Sequence, residues 1–365
     1  MECENKVKEH LAERLFHFVS NDSSLRSSQS AAGFAVGSVR GPAREDNQDR
    51  ILFAQLVGRQ GTVAAVGVVC DGMGGMSSGG AAASLALSEF VSEIVVEIDE
   101  LNRETLLIAI RRANAKVFER FRGEGGSTIT AIVTVDSGED WVVHVGDSRL
   151  YTVSYQNELE LITVDDTIAG LAQGNHKDED LLDNRLLQFV GIGSDLEPHV
   201  FKLRTPRPKG YLITSDGAHG LGRKILESII GGTHKPVDWV KRIVFVADAI
   251  NVTDNATALA MAPQDLDTMT IFRGGTSIKA WTTNGCLEIW LQKEGRSPSA
   301  VPRGRIEKIP EPIQRVDEPL PPQAIKPKPK PKPTAKTKLK RLPSKEVPPK
   351  ETPKVEPRPQ LSIKF

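Results

Sequence analysis

The stretch from Val68 to Gly75 constrains the fold more than any other part of the sequence. An apolar, strand-like run stops at Asp71 and passes through three glycines toward a helix-forming segment. A carboxylate at the end of a buried strand, followed by glycines, lets a metal ion or a phosphate approach the backbone closely. An ordinary Asp-Gly turn has the same pattern, so this stretch alone leaves both interpretations open.

Three more aspartates stand at the ends of apolar runs. Tyr211 to Gly217 repeats the strand that ends in Asp-Gly, here at Asp216, and Asp254 precedes the run from Ala256 to Met261. Asp147 lies between two strand-like runs, a layout that predicts a β-hairpin with Asp147 at its tip. Carboxylates that converge from strand ends suit Mg²⁺ or Mn²⁺. Zinc is less favoured, because the seven histidines show no metal-ligand spacing.

Charge and composition divide the chain into an acidic body and a basic tail. The chain has 365 residues, of which 39% are apolar, enough for one large domain or two ordinary ones. Residues 294–365 hold 18 Lys and Arg against 8 Asp and Glu, a net of +10, so residues 1–293 carry −10. The same tail holds 17 of the 23 prolines, which predicts extended, disordered chain.

The cysteines and the apolar runs bear on the compartment. The three cysteines are far apart and lack CxxC spacing, which argues against a disulfide framework or a structural zinc site. No uninterrupted apolar segment has the length of a membrane span or a signal peptide core. We therefore expect a soluble, cytoplasmic protein without a membrane contact.

The periodicity of the apolar residues predicts four regions. Residues 1–30 form an N-terminal lead-in, with a peripheral helix over 4–19 and a polar connector from Asn21 to Ser30. Residues 31–262 form the main globular body, in which 165–195 is a mostly helical flap. Residues 263–293 are a short β-rich extension, and residues 294–365 are the Pro/Lys-rich tail. The extension could belong to the globular body or form a unit of its own.

Six short motifs, in one order along the chain, resemble the metal-dependent protein phosphatases, the protein phosphatase 2C (PPM) family, in its bacterial form. Each motif is weak alone, but their common order makes coincidence improbable. They are Arg44 with Asn47-Gln48-Asp49, Asp71-Gly72-Met73-Gly74-Gly75, Gly126-Ser127-Thr128, Gly146-Asp147-Ser148-Arg149, Ser215-Asp216-Gly217 and Asp254-Asn255-Ala256-Thr257.

The resemblance implies an α+β fold, with two antiparallel sheets packed as a sandwich and helices on both outer faces (αββα). It also implies an enzyme, a serine/threonine protein phosphatase that hydrolyses phosphoserine and phosphothreonine at a centre of two or three Mn²⁺ or Mg²⁺ ions. Such cations acidify a water molecule and shield the phosphate charge, so no protein nucleophile is needed.

The resemblance also assigns roles to individual residues. Asp71 would bridge two metals, the Gly72 carbonyl would bind one of them, and Asp216 with Asp254 would bind the other. A third, looser metal would lie at Asp147. The phosphate would be bound by Arg44, whose planar fork can hold two oxygens. Together these give Arg44, Asp71 and Asp216 as catalytic residues, with support from Asp49 and Asn255.

Four positions depart from the pattern of many relatives. Lys209-Gly210-Tyr211 lacks the aspartate that often precedes this strand. Gln48 stands where glutamate is common, so a contact to the second metal would be weaker there. Met73 stands where the animal branch has a histidine thought to protonate the leaving group, although methionine is usual in bacterial-type members. Asp166 stands where histidine is frequent.

The partners follow from the same resemblance and from the tail. Phosphorylated proteins are the expected substrates, and a serine/threonine kinase is the expected opposing enzyme. The tail is a candidate for binding an acidic or a polyproline-reading protein. Nucleic acid is disfavoured, because the tail has no aromatic residues interleaved for base stacking. The alternative function is a phosphoprotein-binding or scaffold module that uses the same fold with little catalysis.

Overall fold

A computed structural model of the chain describes residues 2–20, 26–31, 33–73, 78–172, 185–204, 206–233, 235–263 and 275–291. The chain divides into a unit of residues 1–299 and a unit of residues 300–365. Every described residue lies in the first unit. The predicted disorder of the tail therefore falls outside the described residues, and the four predicted regions stay predictions.

The helices of the described part are α1 (Glu2–Ser20), α2 (Gly79–Val96), α3 (Arg103–Phe121), α4 (Ile168–Ala172), α5 (Asp216–His219), α6 (Arg223–Gly231) and α7 (Pro236–Ala249), with a short 3₁₀ turn at Ile98–Glu100. The strands are β1 (Arg26–Ala31), β2 (Phe34–Val39), β3 (Arg50–Val57), β4 (Val63–Cys70), β5 (Ile129–Val135), β6 (Asp140–Val145), β7 (Arg149–Val153), β8 (Leu159–Leu161), β9 (His199–Lys202), β10 (Gly210–Thr214), β11 (Ala256–Met261), β12 (Thr276–Thr282) and β13 (Gly285–Leu291).

These strands form two antiparallel sheets. The six-stranded sheet has the order β1-β2-β11-β10-β7-β8, and the seven-stranded sheet has the order β13-β12-β3-β4-β5-β6-β9. The central strands are buried along their whole length, as in β2, β5 and β11. Strands this apolar need cover on both faces.

Three apolar layers supply that cover. Phe34, Phe53 and Ile132 belong to a core between the two sheets. Phe90 and Ile110, from α2 and α3, belong to a second core with residues of the seven-stranded sheet, and residues of α6 and α7 belong to a third core with residues of the six-stranded sheet. The predicted αββα sandwich is confirmed.

The N-terminal helix is not peripheral, in contrast to the prediction. Leu11, Leu15 and Val19 of α1 are buried in the same core as α2. The prediction failed because the apolar stripe of α1 is narrow, although its spacing of four residues still covers one face of a helix. α2 itself is long and apolar enough to cross a membrane by composition, but 78% of it is buried inside the fold, as in the core helix of a soluble protein.

The predicted hairpin around Asp147 is wrong. β6 belongs to the seven-stranded sheet and β7 to the six-stranded sheet, so residues 146–148 cross from one sheet to the other. The segment that contains Arg44 and Asp49 makes the same kind of crossing, between β2 and β3. Sequence spacing cannot distinguish a tight hairpin from such a crossing, because both need only a short polar connection between two strands.

Two further segments differ from the prediction. Part of the polar connector, Arg26–Ala31, is β1, an edge strand that pairs with β2 and is largely exposed. Its polar residues are typical of an edge, where neither face needs to be apolar. In the flap, only Ile168–Ala172 of the described residues is helical, and residues 173–184 lie outside them.

The β-rich extension pairs with the body. β12 pairs with β3 at the edge of the seven-stranded sheet, and β13 pairs with β12. Trp281 of β12 packs on Phe34 and Phe53 in the core between the sheets, with ring centroids 4.9 and 5.8 Å away.

Candidate metal centre

Asp71 follows the last residue of β4, at the end of the sandwich where the chain crosses between sheets. Its position is fixed through the backbone, because its N–H donates to Thr128 Oγ1 (2.9 Å) and its carbonyl accepts from the Thr128 N–H (2.9 Å). The Ser127 hydroxyl donates to the same carbonyl (3.0 Å). The side chain therefore stays available for a ligand.

Four other aspartates converge on Asp71. Burial raises the pKa of Asp71 well above its usual value, and the negative charges of Asp49, Asp216, Asp147 and Asp254 raise it further. Burial and the charge of Asp254 likewise raise the pKa of Asp216, whose side chain is within hydrogen-bonding reach of Asp71. Like charges held together in a buried place need protons or cations to be stable.

Asp49 lies behind this group and is 4% exposed. Its Oδ2 accepts a hydrogen bond from the Ser215 hydroxyl (2.9 Å), whereas Oδ1 is buried and has no hydrogen-bond partner in the described part of the chain. Burial, with the charge of Asp216, raises the pKa of Asp49 to about 6. An orphaned carboxylate oxygen beside other carboxylates is the kind of group that a cation satisfies.

Asp147 enters the site from the crossing between β6 and β7. Burial and the charges of Asp216 and Asp165 raise the pKa of Asp147 to about 7. The preceding Gly146 has φ of 106°, a conformation that favours glycine, and a Cβ there would lie 2.7 Å from the Thr128 side chain. Glycine at 146 is therefore required by the geometry that brings Asp147 to the centre.

The positive charge at the centre belongs to Arg44. Its Nη2 forms an ion pair with Asp254 Oδ2, and this hydrogen bond raises the pKa of Arg44. The Arg44 side chain is 36% exposed, so it can reach a ligand from the open side. Asn255 holds the arginine's loop, because its Oδ1 accepts from the Gly41 N–H (3.2 Å) and its Nδ2 donates to the Asp46 carbonyl (3.3 Å).

The turn after Asp71 is narrow. A Cβ at Gly72 would lie 2.4 Å from the carbonyl oxygen of Gly79 and 2.8 Å from that of Gln48, so only glycine fits. The Gln48 side-chain oxygen would lie 2.8 Å from a Cβ at Gly79, so the amide faces the start of α2. Met73 donates its N–H to the Gly126 carbonyl (3.1 Å). Gly74 and Gly75 lie outside the described residues.

The donor set fits a divalent cation of the Mg²⁺ or Mn²⁺ class. Carboxylates are the ligands these ions prefer, and here they carry uncompensated charge with one orphaned oxygen. Within the described ranges, no three His, Cys, Asp or Glu side chains form a preassembled metal cage. The carboxylates instead use protein donors: Asp216 Oδ1 accepts from the Gly217 N–H, and Asp254 Oδ1 accepts from the Asn255 N–H (2.8 Å).

Sequence reasoning missed the hydroxyls that support the centre. Ser215 links Asp49 to β11, because its Oγ also accepts from the Thr257 N–H (3.0 Å). Thr128 and Ser148 join the two ligand loops through a hydrogen bond between their hydroxyls (2.8 Å). All three belong to the motifs quoted above, so their adjacency to Gly and Asp was the available signal.

Arg50 was also missed, although it lies next to Asp49. Its Nη1 donates to the carbonyls of Asn47 (2.7 Å) and Asp49 (2.8 Å), and its Nε donates to Ser84 of α2 (2.8 Å). This buried guanidinium fixes the loop that carries Asp49 against the helix that follows Asp71.

The comparisons with known proteins are informative only at the level of structure. No protein-family model matches the sequence, and no curated protein matches it significantly. The phosphatase MsPP from Mycobacterium smegmatis, solved in complex with cacodylate, is 28% identical with a TM-score of 0.54, over 64% of this chain and 99% of MsPP.

Two further solved phosphatases share the fold. Stp1 from Staphylococcus aureus is 19% identical with a TM-score of 0.55, over 64% of this chain and 95% of Stp1. The catalytic domain of PstP, in complex with two manganese ions, is 24% identical with a TM-score of 0.52, over 65% of this chain and 98% of that domain.

The chain thus resembles the PPM class in its two-sheet sandwich and, at 28% identity, resembles MsPP in sequence. These structural matches support a bacterial-type PPM serine/threonine protein phosphatase.

Proposed function

We propose that the chain hydrolyses phosphoserine and phosphothreonine in proteins with a water molecule activated by a binuclear Mn²⁺ or Mg²⁺ centre. The observation that carries the proposal is the convergence of Asp49, Asp147 and Asp216 on the half-buried Asp71, with Arg44 at the open side. Divalent cations held by these residues would supply an acidified water molecule and shield the charge of the phosphate.

The chain's own residues have defined tasks in this proposal. Asp71 would bind both cations, the Gly72 carbonyl would bind one, and Asp216 and Asp254 would bind the other. Asp147 would hold a third, looser cation. Asp49 and Asn255 would keep these loops in place through Ser215 and the Gly41 turn.

Arg44 would bind the phosphate. In the described structure its guanidinium pairs with Asp254, which keeps it at the edge of the centre until a phosphate offers stronger charge-assisted hydrogen bonds. The partial exposure of Arg44 fits this role, because the substrate must approach from solvent. Met73 cannot transfer a proton, so the leaving group must take its proton from another donor.

The test is release of phosphate from a phosphopeptide with and without Mn²⁺, for the wild type and Asp216→Asn. We expect metal-dependent turnover that is lost in the variant. Asp136→Asn is the matched control, because Asp136 is exposed and follows β5 at the end of the sheet opposite Asp71. Absence of turnover with both Mn²⁺ and Mg²⁺ would overturn the proposal and favour the phosphoprotein-binding alternative, which the complete carboxylate set does not favour.

The remaining partners are proposed from the sequence. We propose that the enzyme acts in the cytoplasm and opposes a serine/threonine kinase, so phosphosites that accumulate in its absence should belong to one kinase's targets. We also propose that residues 294–365 bind an acidic or polyproline-reading protein. Deletion of these residues should leave phosphopeptide turnover unchanged and abolish recovery of that partner, whereas reduced turnover would assign the tail to catalysis.

A further inference from the structure

The crossing that contains Asp147 needs other residues to hold its backbone in place. Gly146 has no side chain with which to anchor the turn, and its backbone conformation excludes a larger residue. Asp147 must keep its carboxylate available for a ligand. The position of Asp147 therefore depends on what holds the backbone on either side of it.

The downstream side is held by two hydroxyls. The Ser148 hydroxyl is hydrogen-bonded to Thr128 (2.8 Å), and the Thr130 hydroxyl donates to the Ser148 carbonyl (2.9 Å). Thr128 also accepts from the Asp71 N–H. These contacts connect the end of the crossing to β5 and to the loop of Asp71.

On the upstream side, the Gly146 peptide is held by Asp166. Its N–H donates to the Gly146 carbonyl (2.7 Å), and its Oδ2 accepts from the Gly146 N–H (2.8 Å). Both polar groups of the glycine backbone are thus bound by one residue from the segment that follows β8. Such a two-point contact fixes the orientation of a peptide unit as well as its position.

The Asp166 side chain is itself held in place. Its Oδ1 is hydrogen-bonded to His199 Nε2 (2.8 Å), and the carboxylate is 12% exposed. With one oxygen on His199 and the other on Gly146, the carboxylate cannot rotate without breaking a hydrogen bond. The Asp166 carbonyl also accepts from the Leu187 N–H (2.7 Å), which ties it to the far side of the same segment.

We propose that Asp166 is a positioning residue for Asp147, with His199 as the group that orients the Asp166 carboxylate. Asp166 acts through the Gly146 peptide and is not itself a ligand. The inference rests on the proposed function in one respect, the assignment of Asp147 as a cation ligand. The contact with Gly146 is a property of the chain alone and can be measured without metal or substrate.

The contact between Asp166 and Gly146 predicts which substitutions of Asp166 are tolerated. Asp166→Asn retains an oxygen that can accept from the Gly146 N–H, and its NH₂ can donate to a neutral His199, so it should preserve the geometry. Asp166→Ala removes the acceptor and leaves the Gly146 N–H without its partner. His199→Ala leaves the acceptor but frees it to rotate, so its effect should lie between the two.

The first measurement is hydrogen exchange of the Gly146 amide in the metal-free protein. We expect exchange about fivefold faster or more in Asp166→Ala than in the wild type, because the lost hydrogen bond is worth about 1 kcal/mol or more. Asp166→Asn should exchange at the wild-type rate. Glu197→Ala is the matched control, because it removes an exposed carboxylate two residues before His199.

The second measurement is Mn²⁺ binding by titration calorimetry. We expect Asp166→Ala to weaken the weakest Mn²⁺ site about tenfold, the lower end of the range for residues that orient a metal ligand. Asp166→Asn and Glu197→Ala should bind as the wild type does. A merely structural residue would lower the unfolding temperature in Asp166→Ala and leave both the Gly146 exchange and the Mn²⁺ affinity unchanged.

The outcomes separate this inference from the proposed function. Unchanged Gly146 exchange or unchanged Mn²⁺ affinity in folded Asp166→Ala would overturn the positioning role. Faster Gly146 exchange together with absent phosphopeptide turnover in the wild type would support the contact and overturn the phosphatase proposal instead.

Discussion

Two groups of buried or half-buried carboxylates lie in this fold, and their surroundings differ. In the helical layer, Glu93 of α2 is 3% exposed, but its Oε1 lies 2.5 Å from Lys8 Nζ of α1. Glu89 is 2.9 Å from Arg112 Nε of α3, and the same arginine lies 3.5 Å from Glu93. Each of these carboxylates has a cationic neighbour from the protein.

In the group at the end of the sandwich, the described residues form one ion pair, between Arg44 and Asp254. Burial and the charges of neighbouring aspartates raise the pKa values of Asp49, Asp71 and Asp147. Burial of a carboxylate is thus compatible with a structural role when a protein cation accompanies it. A buried group that lacks such a partner points to a cation from outside the chain.

The largest expected effect is loss of activity in Asp216→Asn. Turnover should fall by more than the roughly 100-fold that loss of an outer metal contact costs, because this residue is assigned as a direct ligand. The same variant should raise the free energy of unfolding of the metal-free protein by about 1 kcal/mol, since it removes one repelling charge. Denaturant unfolding of metal-free protein measures the second effect, and a decrease in stability would contradict the comparison.

In the helical layer, a substitution should change the free energy of unfolding in the opposite direction. Lys8→Met should lower the free energy of unfolding by about 3 kcal/mol, because Glu93 would remain buried with much of its compensating charge removed. Lys6→Met, on the exposed part of the same helix, is the control and should change stability by less than about 0.5 kcal/mol. If the two variants are equally stable, the Lys8 pair is not what makes the buried glutamates tolerable.

Added cation should distinguish the two groups directly. At a concentration about 100 times its dissociation constant, Mn²⁺ should stabilise the wild type by about 2.7 kcal/mol. Asp71→Asn should lose this increment, whereas Lys8→Met should retain it in full. Thermal unfolding with and without Mn²⁺ gives both values, and an equal increment in Asp71→Asn would remove that residue from the metal centre.

The free energy of unfolding of the metal-free protein should depend on pH. The pKa values of Asp49 (about 6) and Asp147 (about 7) lie above the usual value of 3.8. Between pH 4 and 7 the folded state therefore binds more protons than the unfolded state, and the free energy of unfolding falls as pH rises. Saturating Mn²⁺ should abolish the fall, because the cation replaces the protons.

The helical layer should not contribute to that pH dependence. Burial alone would lower the pKa of Lys8, but the hydrogen bonds to Glu93 and Glu97 outweigh it and raise the pKa. The stability from this raised pKa is present below the ordinary lysine pKa and is lost only at alkaline pH. The slope between pH 4 and 7 should therefore be the same in Lys6→Met and in the wild type. In Lys8→Met the free energy of unfolding should fall more steeply as pH rises, because the buried Glu93 loses its cation.

The sandwich was predicted through the family resemblance, whereas the sequence pattern itself predicted the individual strands, because the central strands are short, apolar and bounded by Gly and Asp. The ends of β4 and β10 follow from Asp71 and Asp216, which stop the apolar runs. The prediction failed where the local sequence pattern does not indicate which strands pair with one another. The crossing at Asp147 has the same sequence pattern as a hairpin, and nothing local indicates that β6 and β7 pair in different sheets.

In the candidate site, too, some features could be predicted from the local sequence pattern and others could not. The aspartates could be found because their positions at strand ends repeat along the chain. Asp166 could not be given its contact with Gly146, because that contact depends on how the chain returns after β8. Ser215 stood inside a quoted motif, yet its link to Asp49 across 166 residues is visible only in three dimensions.

The pairing of the first strands with the last has a consequence for the order of folding. β2 pairs with β11, and β3 pairs with β12, so the strands made earliest wait for partners made more than 200 residues later. Contacts of such long range slow folding and leave strand edges open during synthesis. Until β11 and β12 have been translated, the nascent chain exposes the apolar faces of β2 and β3, and it depends on chaperones or on slow collapse to keep them from aggregating.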